Sequence, residues 1–211
     1  MQRAISPFVV LLMMLVFSPL SNADSIKILA FGDSLTAGYG LKKNEAFPAR
    51  LEQALKANDH DVTVINSGQS GDTTGAGLSR VEWALFDKPD LVILELGAND
   101  MLRGLPVTAT KENLSEIITL FQAQSMPILL TGMLASEYYG QEYKAEFDAV
   151  FPDLAAERNL MLYPFFLEGV AGNISLNQED GMHPTAKGVD VIVSAILPTV
   201  EEFIRSSVTK P

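Results

Sequence analysis

Only two histidines and no cysteine occur among the 211 residues, so few side chains can act as a base near neutral pH. His60 lies in Asn58-Asp59-His60-Asp61, a polar stretch with the composition of a solvated turn. His183 lies in Asp180-Gly181-Met182-His183-Pro184. There an acid three residues upstream, in a glycine-containing loop, can bind one ring nitrogen and leave the other free as a base. Asp-x-x-His alone is a weak signal. With cysteine absent, covalent catalysis requires Ser or Thr. Gly32-Asp33-Ser34-Leu35 follows an apolar run at 26–31. A serine at a strand-to-helix turn presents its hydroxyl at the carboxyl edge of a sheet, with its N–H near a helix N-terminus that favours developing negative charge. The same serine can equally cap the helix. Ser70, in Gly68-Gln69-Ser70-Gly71, is a rival, and the Gly-x-Ser-x-Gly signature is absent. Acyl transfer also needs donors aimed at the carbonyl oxygen. Gly71 permits close backbone approach, and Asn99, in Gly97-Ala98-Asn99-Asp100, carries an amide. Both residue types are also ordinary turn formers.

These residues acquire meaning from the elements that must carry them. Aliphatic or β-branched runs at 26–31, 62–65, 91–96, 128–133 and 160–163 read as strands. The run at 91–96 is almost continuously apolar, as expected for a strand covered on both faces. Helical spacing appears at 47–57, 78–86, 111–124, 143–157 and 189–204. Pro152 is expected to bend or divide the fourth of these helices, and Pro198 to kink the last. Alternating strands and helices predict an α/β fold with a mainly parallel sheet. Such sheets bind ligands beyond the carboxyl ends of their strands. Ser34, Gly71, Asn99 and the Asp180/His183 pair follow four different strands and so fall on that edge. Together they form a parts list for acyl transfer.

The four blocks Gly32-Asp33-Ser34-Leu35, Gly71, Gly97-x-Asn99-Asp100 and Asp180-x-x-His183, in this order, resemble those of the SGNH (GDSL) hydrolases. The likeness extends over nearly the whole chain beyond residue 23, and is nearest to the bacterial thioesterase I, lysophospholipase and arylesterase group. Ala37-Gly38-Tyr39, Ser70-Gly71-Asp72-Thr73, Glu95-Leu96-Gly97, Leu102-Arg103-Gly104 and Tyr163-Pro164-Phe165-Phe166 agree with it locally. The resemblance implies a flavodoxin-like three-layer sandwich with a five-stranded parallel sheet. It implies Ser34, rather than Ser70, as nucleophile, and Asp180 orienting His183 as base. The Ser34 and Gly71 N–H groups and the Asn99 amide would then form the oxyanion hole. It implies hydrolysis of carboxylic esters and thioesters, with neither cofactor nor metal. Two apolar, glycine-containing segments are expected to wall the substrate cleft: Met101, Leu102 and Leu105 from one, and Leu134, Tyr138 and Tyr139 from the other.

Residues 1–23 read as a secretory signal peptide, with Arg3, an apolar run at 8–17, and Ser21-Asn22-Ala23 before the expected cut. Residues 24–211 are then a single domain in the periplasm or secreted medium, with no stable membrane insertion after cleavage. A net charge of −11 opposes binding to nucleic acid or anionic membrane. The expected partner is a small ester or thioester. Two other readings use the same edge. Asp33, Asp72, Asp100, Asp180 and His183 supply ligand types for a metal-dependent phosphoesterase. The same cleft would also suit a non-catalytic glycan-binding domain.

Overall fold

The computed structural model describes residues 25–208; the signal peptide expected at 1–23 lies outside them. Five strands form the sheet: β1 (Ile26–Gly32), β2 (Val62–Gly68), β3 (Leu91–Glu95), β4 (Ile128–Thr131) and β5 (Met161–Tyr163). Their spatial order is β2-β1-β3-β4-β5, and every pairing is parallel. The helices are α1 (Ser34–Ala37), α2 (Phe47–Ala57), α3 (Thr74–Leu78), α4 (Val81–Ala84), α5 (Ala98–Leu102), α6 (Val107–Ala123), α7 (Gln141–Arg158) and α8 (Ala186–Val208).

Right-handed crossovers set the layers. The step from β1 to β2 moves one way across the sheet, and the later steps move the other way. α2 therefore covers one face, where α8 packs against it, while α3, α6 and α7 pack in sequence on the opposite face. Central β3 is covered from both sides, and all five of its residues are buried. Edge strand β2 alternates buried and exposed residues at its start, as a half-covered strand should. Phe31 of β1 meets Phe121 of α6 edge-to-face, with centroids 5.5 Å apart, locking that strand to its covering helix.

The helix expected at 78–86 is instead α3, α4 and a 3₁₀ turn at Leu85–Asp87. The break falls at Arg80, whose backbone leaves helical geometry while its side chain turns inward. Pro152 and Pro198 divide neither α7 nor α8. Each removes one backbone hydrogen bond, at a cost of about 3 kcal/mol. Burial of Phe151 and Leu154 beside Pro152, and of Ile196 and Val200 beside Pro198, holds both helices continuous.

Candidate active site

The strand order reverses between β1 and β3, and the crevice at such a switch point is where doubly wound sheets take ligands. β1 ends at Gly32, where the backbone is crowded. A Cβ there would come within 2.5 Å of Glu95 Oε2 and 2.6 Å of the Glu95 carbonyl oxygen. Only glycine lets the chain pass β3 so closely. Asp33 then caps α1, its Oδ1 accepting from the Leu35 N–H at 2.9 Å. The capping role considered for Ser34 thus belongs to Asp33. Ser34 begins the helix with its hydroxyl free to face the edge.

His183 Nε2 lies 2.9 Å from Ser34 Oγ, and His183 Nδ1 lies 2.6 Å from Asp180 Oδ2. Asp180 Oδ1 also accepts from the Met182 and His183 N–H groups, at 2.9 and 3.0 Å. The His183 backbone bond, the His183 ring bond and the Met182 bond together lower the Asp180 carboxyl to about 2. Its loop is closed by a bridge between Asn177 and Pro184 and by the Gln178 N–H donating to the His183 carbonyl at 2.7 Å. Gln178 Nε2 reaches across to the Tyr39 carbonyl at 2.8 Å, and the Tyr39 ring lies 4.5 Å from the His183 ring, centroid to centroid. The histidine is therefore held through its nitrogens, its backbone and one ring face.

Gly71 sits in the loop between β2 and α3 at φ +88°, a conformation that side chains disfavour. Asn99 lies in α5, after β3. Its amide donates to Asp33 Oδ2 and to the Asp72 carbonyl, each at 3.0 Å. Two arginines hold these loops. Arg80 donates to Asp72 Oδ2 at 2.5 Å, to the Ser67 carbonyl at 3.0 Å and to the Gly32 carbonyl at 2.8 Å, with its guanidinium 4.0 Å over the Phe31 ring. Arg103 donates to the Gly71 carbonyl at 2.7 Å.

A cleft of about 1140 Å³ opens over this edge, bordered by Ser34, Asn99 and His183. Met101, Leu102 and Leu134 line it as expected from the sequence. Leu105, Tyr138 and Tyr139 lie outside its lining. Tyr139 turns its hydroxyl to the Leu102 carbonyl at 3.2 Å, and Leu105 offers its carbonyl to the Tyr143 hydroxyl at 3.2 Å. The Tyr139 bond thus holds Leu102, which lines the cleft. Met133, Phe165 and Leu167 line the cleft without having been singled out, although Phe165 stands in a segment noted above for its local agreement. The carboxylates considered as metal ligands are engaged separately. Asp72 pairs with Arg80, Asp100 accepts from Thr74, and Asp180 binds His183. Among the described residues no three His, Asp or Glu side chains converge as a metal-ligand set.

Beneath the site lies a buried acid that the sequence reading quoted for its local agreement and gave no role. Glu95 Oε2 accepts from the Asp33 N–H at 3.3 Å and the Thr36 hydroxyl at 2.8 Å. Burial, then the neighbouring Asp33 charge, raises its carboxyl well above the ordinary range. Burial likewise raises Asp33 to about 6, against hydrogen bonds from Leu35 and Asn99. An acid closing an otherwise aliphatic strand was the available signal.

A parallel sheet of this order, with these four loops on its carboxyl edge, is the architecture of an SGNH hydrolase, an ester-hydrolysing enzyme. The chain belongs to the GDSL-like Lipase/Acylhydrolase family, whose pattern matches residues 30–191. It is 38% identical over 203 residues to an arylesterase of Vibrio mimicus, covering 95% of this chain and 98% of that protein. It is 37% identical over 163 residues to thioesterase 1/protease 1/lysophospholipase L1 of Escherichia coli K12, covering 77% of this chain and 76% of that one. Among solved structures, AlinE4, an SGNH-hydrolase family esterase, shares 49% identity with a TM-score of 0.74, covering 86% of this chain and 98% of its own.

Proposed function

We propose that the chain is an exported serine esterase that cleaves carboxylic esters and thioesters through an acyl-enzyme. The observation that carries this reading is the unbroken line from Asp180 through His183 to Ser34, at 2.6 and 2.9 Å. Asp180 fixes the proton on Nδ1, so Nε2 is left to accept. As Ser34 Oγ attacks the carbonyl carbon, His183 takes its proton. The carbonyl oxygen becomes an oxyanion, met by the Ser34 and Gly71 N–H groups and the Asn99 amide. Collapse of the tetrahedral intermediate expels the alcohol, phenol or thiol, which takes the proton from His183. Water then attacks the acyl-serine, giving its proton to the same nitrogen, and the acid leaves with Ser34 restored.

The apolar walls of the cleft fit an acyl chain, and the reaction places no demand on the leaving group beyond accepting a proton. This accords with the range of leaving groups in the relatives' names. Residues 1–23 serve as the leader, cut after Ala23, which delivers the enzyme to the periplasm or beyond. The direct test is mass spectrometry after treatment with a serine-directed organophosphate. The adduct is expected on Ser34, with parallel loss of activity on p-nitrophenyl esters. Full activity after stoichiometric labelling elsewhere, or in Ser34→Ala, would refute the mechanism.

A further inference from the structure

Large exposed apolar side chains are unevenly distributed on this molecule. Tyr39, Leu102, Leu134, Tyr138, Ile174 and Met182 are all exposed, and each lines the cleft, touches His183 or lies within two residues of a lining residue. Leu102, Leu134 and Met182 line it directly. The Tyr39 ring lies tilted against His183. Tyr138 follows the lining residues Ser136 and Glu137, and Ile174 follows the lining residues Ala171 and Gly172. The two outermost are almost wholly in solvent, Tyr138 at 90% and Ile174 at 93% exposure. The other large exposed pair, Trp83 and Phe86, precedes β3, at the amino ends of the strands, and its rings contact each other at 5.6 Å.

Single exposed apolar residues need no explanation, but six of them gathered on the segments that border one cleft do. Folding gains nothing from Ile174 or Tyr138 in those positions, because neither is buried. Tyrosine, apolar in body and polar at its tip, suits the boundary between water and lipid. The charge near these residues selects among lipids. Glu137 lines the cleft, Glu179 and Asp180 sit on the His183 loop, and Lys144 is neutralised by Asp148 at 2.6 Å. On a chain of net charge −11, such a face is repelled by anionic surfaces and tolerated by zwitterionic ones.

We infer that the cleft mouth is a docking surface for aggregated zwitterionic amphiphiles, micelle or bilayer, seated through Ile174 and Tyr138 so that one acyl chain passes directly from the aggregate to Ser34. The delivery step rests on the reading of Ser34 as nucleophile; the docking step does not.

Two measurements test it. In the first, the full-length Ser34→Ala protein is floated with phosphatidylcholine vesicles, alone and with Ile174→Asp and Tyr138→Asp added. Because both forms share the same leader, the difference reads the mouth alone. The added charges are expected to weaken partitioning roughly tenfold, the scale of withdrawing one apolar side chain from lipid. Equal partitioning overturns the docking surface, as does tighter binding to phosphatidylglycerol vesicles than to phosphatidylcholine. In the second, the enzyme with Ser34 intact is compared on p-nitrophenyl butyrate below its solubility limit and on micellar lysophosphatidylcholine. The double variant is expected to lose roughly tenfold in kcat/KM on micelles and to keep its rate on the monomeric ester. Equal losses on both substrates, or none on micelles, overturn delivery from the aggregate. If the unmodified enzyme hydrolyses neither substrate, the nucleophile assignment fails, while the flotation result stands by itself.

Discussion

The Asn99 amide donates to the carboxylate of Asp33, Nδ2 to Oδ2 at 3.0 Å, and Asp33 is the residue immediately before Ser34. The second amide hydrogen goes to the Asp72 carbonyl, also at 3.0 Å. Both donors are therefore directed at protein acceptors. An oxyanion forming beside Ser34 must draw one of them away or share it. The three loops after β1, β2 and β3 meet at this one side chain, which fixes the amide where the charge would develop.

Asn99→Ala is expected to lower kcat by about 10²–10³, the usual effect of removing one oxyanion donor, with little change in KM. Far-UV circular dichroism should remain that of the wild type, since the sheet does not depend on Asn99. Wild-type turnover in this variant would remove Asn99 from the oxyanion site and leave it a purely structural tie.

Asp33 makes a prediction about stability and pH. Its carboxyl is raised from the ordinary 3.8 to about 6 by burial. A raised carboxyl stabilises the fold fully below its unfolded value, and that contribution is lost as pH rises through 6. Two units correspond to roughly 3 kcal/mol as an upper bound. Denaturant titrations should therefore show wild-type stability falling between pH 4 and 6, less steeply in Asp33→Asn. The same variant should be catalytically slower, because its amide nitrogen faces the Asn99 amide where an acceptor stood. Parallel stability profiles for the two proteins would mean that Asp33 does not titrate in this window.

Asp180 behaves oppositely. Its hydrogen bonds lower the carboxyl to about 2, so its stabilising contribution is present above 3.8 and lost as pH falls through 2. It stays ionised throughout any practical assay. Protonation of Asp180 therefore contributes nothing to the acid limb of kcat/KM in that range. Asp180→Asn should lower kcat by about 10⁴, since an amide no longer fixes the proton on Nδ1. Wild-type kcat in Asp180→Asn would show that this carboxylate does not set the histidine's proton.

The sequence made the strands legible because a sheet covered on both faces requires continuous aliphatic runs, as at 91–96. The edge residues were legible for a related reason: polar side chains immediately after such runs are placed by topology alone. Direction within a loop follows no period, and there the reading failed. Tyr139 and Leu105 lie outside the lining they were expected to join, Tyr139 with its hydroxyl committed to the Leu102 carbonyl. The break in the helix expected at 78–86 was hidden for the same reason. Its cause is the destination of one side chain, Arg80, and every partner of that side chain but one lies thirteen or more residues distant.

Arg80 supplies the last prediction. Its fork spans the ends of β1 and β2 and the loop that carries Gly71, reaching the Gly32 carbonyl, the Ser67 carbonyl and the Asp72 carboxylate at once. Lysine carries the charge but not the planar geometry, so it can satisfy one of these acceptors and leaves the others partly buried without a donor. Arg80→Lys should cost about 2 kcal/mol in urea denaturation. Because the Asp72 carbonyl also anchors the Asn99 amide, kcat should fall as well, even though Arg80 is absent from the cleft lining. The two effects separate its roles. A variant that loses stability and keeps kcat would make Arg80 a strand clamp only. One that matches the wild type in both would mean that the positive charge, rather than the fork, holds the loop.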